Sequence, residues 1–354
     1  MPTTEFETPV STTEQPERRP RVFYLDALRC YAIICVVLLH AITPYFTNAA
    51  YFGTRSWIAM LSLNPFCRTA VAVFFMISGH LLLNDPLADN MRSFYKKRIP
   101  RLIIPLFTWN IIYYLYYDVM WGRIDDYSAQ FLGRGTAYHM WYVYTLIGIY
   151  LLAPFLKKIT DACSKGQVTG LFILLISMTT IRPFINMVTP LSINLFEPLM
   201  QGYIGFILIG YLLGSVDFSR WQRVLFYIGG VAGYVLSVVF VYTGSTAEKL
   251  DFSINAAYSL PRFLIAAALF VLAKQLFGKS DGQGSVARVV SRCAEIVFGV
   301  YWVHVLVLEE LKRLFFMEAT PLVQGLVRFA LAFVISAVVA AIINRVKPMK
   351  KYLM

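Results

Sequence analysis

Long apolar stretches recur along almost the whole of this sequence, and they constrain its fold more than any other feature. A helix needs about 20 mostly apolar residues to cross a hydrocarbon core of about 30 Å. Of the 354 residues, 58% are hydrophobic and only 15% are charged. The sequence therefore predicts an all-α polytopic membrane bundle of about ten transmembrane helices. The predicted spans are 22–46, 66–84, 102–121, 138–156, 168–187, 199–216, 224–243, 257–277, 293–311 and 322–344.

The basic residues lie in short clusters between the apolar runs, which is typical of membrane topology and not of a nucleic-acid-binding surface. With the N-terminus inside, about two-thirds of the 32 lysines and arginines fall in cytoplasmic segments. We therefore expect both termini to be cytoplasmic and no nucleic-acid partner. Residues 1–20 are polar and rich in Thr, Glu and Pro, so we expect a disordered tail, followed by a membrane domain at 21–345 and a basic cytoplasmic tail at 346–354.

Three polar side chains interrupt the first apolar run: Asp26, Arg29 and His40. Arg29 and His40 are eleven residues apart, which is about 20° beyond three full helical turns, so their side chains lie on the same face of the helix. The rise along the helix between them is about 16 Å. Asp26 lies three residues before Arg29, within reach of an ion pair. Ionisable groups inside spans are rare and usually functional, and a neutral imidazole accepts a proton near physiological pH.

A simpler interpretation stays open for this helix. In it, the side chains of Asp26 and Arg29 reach the membrane–water interface, and His40 only forms a hydrogen bond with a neighbouring residue. The chain has four histidines: His40, His80, His139 and His304. No two of them have a spacing typical of metal ligands, so we expect no metal site. For His80 and His139 we favour a structural or interfacial role.

Five motifs, in order along the chain, resemble those of the acyltransferase-3 family of membrane O-acyltransferases, which acetylate sugars of surface polysaccharides. They are Tyr24–Arg29 with His40, Val73–Gly79, Arg98–Arg101, His139–Tyr142 followed by Tyr150 and Pro154, and Gly299–His304. His80 departs from the family pattern, where an aromatic or apolar residue is common. The sequence is most similar to the stand-alone type of the family.

The resemblance implies acetyl-CoA, or another acyl-CoA, as donor, with no permanently bound cofactor. Lys97, Arg98 and Arg101 would then bind the CoA phosphates through charge-assisted hydrogen bonds. A role in topology or in binding anionic lipid head groups is the alternative. The expected partners are acyl-CoA, a glycan or glycolipid acceptor and membrane lipid, and the expected location is the plasma or inner membrane. The oligomeric state is not predicted.

For the chemistry, we expect His40 to act as general base, or to carry the acyl group transiently, in transfer to a sugar hydroxyl. Arg29, paired with Asp26, would orient the site or stabilise charge on the carbonyl oxygen. Ser78, Trp141, Tyr301 and His304 are predicted to line the cavity, with a structural or interfacial-anchor role as the alternative. A transporter or flippase for a lipid-linked sugar is the competing function.

Overall fold

The computed structural model describes residues 21–122, 135–189, 203–280, 282–314 and 317–354, and these are helical with no strand among them. The helices are α1 (Phe23–Phe46), α2 (Arg55–Arg68), α3 (Ala70–Leu83), α4 (Met91–Arg98), α5 (Pro100–Trp121), α6 (Trp141–Ala162), α7 (Lys165–Ile176), α8 (Arg182–Val188), α9 (Ile204–Ser215), α10 (Arg220–Gly244), α11 (Leu260–Phe277), α12 (Ser285–Leu314), α13 (Pro321–Arg345) and α14 (Lys347–Leu353). The predicted tail at 1–20 and residues 199–202 of one predicted span lie outside the described residues.

The predicted polytopic helical bundle is confirmed. Eight helical segments of the described chain are long and apolar enough to cross a membrane, with Arg55–Leu83 and Lys165–Val188 each counted as one segment. The other two predicted spans correspond to α5 and to the apolar helix α9, which has 12 residues. The count of ten crossings and the cytoplasmic placement of the termini remain predictions.

Several helices extend beyond the apolar runs because polar residues cap them. Ser164 and Ser219 each form a capping box, with Gln167 and Gln222 respectively, so α7 and α10 begin three to four residues before the predicted spans. The predicted C-terminal tail is partly helical, since Lys347–Leu353 forms α14. Its last turn is fixed by the indole of Trp109, which donates to the Leu353 carbonyl at 3.0 Å.

Helix α1 lies at the centre of the bundle and packs against α2, α3, α11, α12 and α13. Its N-terminal half contacts the region that carries Ser291 and Glu295, and its C-terminal half faces the region around His304. The two ends of α1 thus hold different groups of polar side chains, and the candidate site is built around both.

Candidate active site

Asp26 organises the first group. Its carboxylate is almost fully buried and accepts hydrogen bonds from Arg21 and from Arg29, the latter at 2.7 Å. The predicted Asp26–Arg29 ion pair is therefore present. Arg21 also donates to Glu295 at 2.8 Å. Although burial opposes its charge, these bonds to Glu295 and Asp26 raise the pKa of the Arg21 guanidinium, which stays protonated.

A cavity of about 440 Å³ opens beside this group and is lined by Asp26, Arg29, His80 and Asn84, among others. His80 also lines this cavity. It also packs so closely on Gly214 that a Cβ at that glycine would meet its Nδ1 at 1.9 Å. The departure of His80 from the family pattern is accommodated by that glycine.

The predicted donor-binding residues lie on α4 and at the start of α5. Lys97 and Arg101 are exposed, whereas Arg98 is partly buried and donates to the carboxylate of Asp85. The hydroxyl of Tyr150 on α6 lies within electrostatic reach of Arg98, Arg101 and Arg29. The charges of these three arginines therefore act on the same tyrosine.

Three histidine rings meet at the other end of α1. The ring centroids of His40 and His304 are 5.4 Å apart, and those of His304 and His139 are 5.1 Å apart. We call His40, His139 and His304 the imidazole cluster. Tyr138 packs edge-on against His40 at 5.1 Å, and Tyr301 packs against His139 at the same centroid distance.

The interpretation of His139 as structural or interfacial did not anticipate its place in this cluster. Two contacts hold its backbone segment: the Tyr301 hydroxyl donates to the His139 carbonyl at 2.6 Å, and the buried Asn110 side chain accepts bonds from the N–H and hydroxyl of Thr136. Both partners come from other helices, so no spacing within 138–142 indicates the contact. The sequence signal for the cluster is the recurrence of histidine in three of the family motifs.

The tautomer of His304 follows from its hydrogen bonds. Its Nδ1 lies 2.6 Å from the carbonyl of Tyr301 and 3.2 Å from that of Val300, and both oxygens only accept, so Nδ1 carries the proton. Its Nε2 is buried and has no hydrogen-bond partner among the described residues. The neutral ring therefore presents a free lone pair inside the cluster.

Helix α5 is bonded to the turn of α12 that carries His304. The hydroxyl of Tyr113 donates to the Trp302 carbonyl at 2.8 Å and accepts from the Leu306 N–H at 3.1 Å. These two bonds hold the backbone on either side of His304 against α5.

A second cavity, of about 250 Å³, reaches His40 and is lined also by Tyr138, Glu309, Lys312 and Arg328. Its walls combine one carboxylate, two cations and the half-buried imidazole, which suits a polar ligand. Of the two cavities described, Arg29 lines the first and His40 lines the second.

Aromatic rings pack beside the imidazole cluster. Arg29 lies within electrostatic reach of Tyr142, and the Tyr142 ring contacts Tyr301 at a centroid distance of 5.6 Å. Of the predicted cavity-lining residues, Tyr301 and His304 are buried in this region. Trp141 stacks on Tyr203 at 5.8 Å, and the hydroxyl of Ser78 donates to the Phe74 carbonyl at 2.9 Å.

Within the part of the chain that the structure describes, no group of three His, Cys, Asp or Glu side chains is placed to hold a metal ion. The imidazoles of the cluster can accept or donate protons near physiological pH.

Comparison with protein families matches residues 22–345, almost the whole chain, to a family described as an acyltransferase domain. Searches of curated proteins and of solved structures found no match. The matched range includes both groups of polar side chains and every motif from Tyr24 to His304. The chain therefore belongs to the acyltransferase-3 family of membrane acyltransferases.

Proposed function

We propose that this protein transfers an acetyl group from cytosolic acetyl-CoA to a hydroxyl of a sugar in a surface polysaccharide or a lipid-linked glycan, at the plasma or inner membrane. The observation that carries the proposal is the imidazole of His40, which meets a polar cavity on one side and the neutral ring of His304 on the other. A group in this position has access to an incoming hydroxyl and is free to accept its proton.

In the proposed reaction, His40 takes the proton of the acceptor hydroxyl while the oxygen attacks the thioester carbonyl. The C–S bond then breaks, the CoA thiolate leaves, and the proton passes from His40 to the sulfur. The products are the sugar O-acetyl ester and free CoA, so atoms and charge balance. Transient acylation of His40 itself is the variant of this scheme, and it uses the same imidazole.

The donor enters, in this proposal, from the end of α1 that holds Asp26 and Arg29. Arg98 and Arg101 bind the CoA phosphates, and Arg29 binds polar groups of the pantetheine arm. The rise of about 16 Å between Arg29 and His40 argues against the expected role of Arg29 at the carbonyl oxygen. Arg29 is instead assigned to the donor path.

A transfer assay tests the proposal. Purified protein is incubated with acetyl-CoA labelled in the acetyl group and with a glycolipid extract of the source membrane. We expect label in the glycolipid fraction and its release by mild alkali, as for an ester. Movement of glycolipid across a vesicle membrane without incorporation of label would instead indicate the transporter or flippase.

A further inference from the structure

Two arginines inside the bundle are linked through asparagines, and among the described residues no carboxylate bonds to either. Arg68 ends α2, and Arg262 lies in the first turn of α11. Asn64 accepts from Arg68 and, at 3.5 Å, from the side-chain amide of Asn255, whose carbonyl accepts from Arg262. Both side chains are half-buried. In the described residues neither forms an ion pair, and holding two like charges in an apolar bundle is costly.

The groups that accept hydrogen bonds from the two guanidiniums are uncharged. The Nε of Arg68 donates to Asn64 Oδ1 at 2.8 Å, and Arg262 donates to the carbonyls of Asn255 and Ala257 at 2.6 and 3.1 Å. A carbonyl or amide oxygen carries only a partial negative charge. These bonds therefore orient the guanidiniums but do not neutralise them.

The buried side-chain atoms of this site that lack a hydrogen-bond partner in the described residues are both donors. Arg262 Nε and Asn64 Nδ2 are buried and have no hydrogen-bond partner in the described part of the chain. The amide orientation of Asn64 is fixed, because its oxygen must face the donating Arg68 Nε. A site with surplus donors, two positive charges and no carboxylate among the described residues is complementary to an anion.

The pair lies beside the helix that carries His40. Arg68 ends α2, which packs against α1, and its charge acts on the His40 imidazole. On its other side, Arg262 is within electrostatic reach of Tyr203 and Tyr258, whose rings are 4.9 Å apart. Tyr203 stacks on Trp141, and such aromatic rings are ordinary platforms for ligand rings.

We propose that Arg68 and Arg262, together with Asn64, bind a carboxylate or phosphate group of the acceptor, so that the hydroxyl to be acylated lies at His40. The inference rests on the proposed function and names its substrate class, an anionic glycan. If the two arginines only stabilised negative charge that develops in the transition state, their positive charges would stay unneutralised while the substrates are bound. A permanent anion on the acceptor therefore fits the pair better. The donor is assigned to the opposite end of α1, away from this pair.

Binding is tested first, on detergent-purified protein, by the melting temperature in the presence of glucuronate, glucose 1-phosphate or glucose. We expect a concentration-dependent rise with one or both anions and none with glucose, because only an anion stabilises the folded state here. Arg68→Gln and Arg262→Gln should abolish the rise. Arg55→Gln, at the exposed opposite end of α2, should retain it. If neither anion raises the melting temperature of the wild type above its value with glucose, the proposal is overturned.

The transfer assay then separates this inference from the proposed function. With acetyl-CoA as donor, the charged acceptor should have a KM about tenfold or more below that of glucose, and Arg68→Gln should remove the difference. A fall in kcat at unchanged KM would instead place the arginines at the reacting carbonyl and overturn the proposal.

Two further outcomes are distinct. If the variants alter the preference between succinyl-CoA and acetyl-CoA but not that between the acceptors, the anion belongs to the donor and the proposal fails. If the wild type binds the anions but transfers no acetyl group to any acceptor, the anion site stands and the proposed function fails.

Discussion

At the scale of single residues, the charged end of α1 depends on Asp26. This carboxylate is 1% exposed and neutralises two guanidiniums, whereas Glu295, which also bonds Arg21, is about half exposed. Removing a buried partner leaves charges uncompensated, whereas an exposed pair contributes little.

We therefore expect Asp26→Asn to lower the free energy of unfolding by about 2–3 kcal/mol and to reduce acyl transfer. Glu295→Gln, the matched control, should cost less than about 1 kcal/mol and leave transfer near wild type. Melting curves in detergent and the labelled acetyl assay provide the two readouts. Equal losses in the two variants would show that Asp26 has no special role.

The sequence predicted some of these residues well and others poorly, for a physical reason. The Asp26–Arg29 pair is local, and helical spacing alone brings its two partners together. The ring neighbours of His139 come from α5 and α12, and Arg68 and Arg262 come from α2 and α11. Contacts between distant helices depend on packing, which spacing within one helix does not encode.

At the scale of elements, the Ser78–Gly79 motif of α3 is explained by contact with α9. A Cβ at Gly79 would lie 2.0 Å from the backbone oxygen of Ile207, and one at Gly210 would lie 2.0 Å from that of Met76. The two helices therefore meet backbone to backbone, as small residues allow in membrane bundles.

Gly79→Ala should consequently force α3 and α9 apart and lower the free energy of unfolding by about 1–3 kcal/mol. Gly148 in α6 has no atom within 4 Å of its Cβ position and is exposed, so Gly148→Ala should be neutral or slightly stabilising. Melting temperatures of the two purified variants make the comparison. A Gly79→Ala protein as stable as the Gly148→Ala protein would contradict the close packing.

The apolar runs predicted the existence of the helices but not their ends or interruptions. Residues 168–187 were predicted as one span, yet a π-helical turn at Ser177–Ile181 separates α7 from α8. The predicted span 257–277 starts before the helix does, since Pro261 falls in the first turn of α11, where its missing N–H needs no partner. Capping and local hydrogen bonding decide such details, and hydropathy does not report them.

At the scale of the whole molecule, α1 connects two cavities that serve different substrates in the proposed reaction. The cavity at Asp26 and Arg29 has the basic motif of α4 and α5 nearby, and the cavity at His40 has the imidazole cluster and the arginine pair nearby. The family match spans all of the motifs, and α1 packs against the helices that carry two of the others, α3 and α12. The proposed transfer takes place where the donor arm reaches His40.

The most direct test compares acetyl transfer by the wild type, His40→Ala and Ile34→Ala at equal amounts of folded protein. Ile34 lies on the same helix with its side chain exposed on the surface of the bundle, so its variant controls for changes to α1 that spare the site. Loss of a general base predicts a rate about 10²–10⁴ lower for His40→Ala and near wild-type transfer for Ile34→Ala. Transfer by His40→Ala at the wild-type rate would contradict the account.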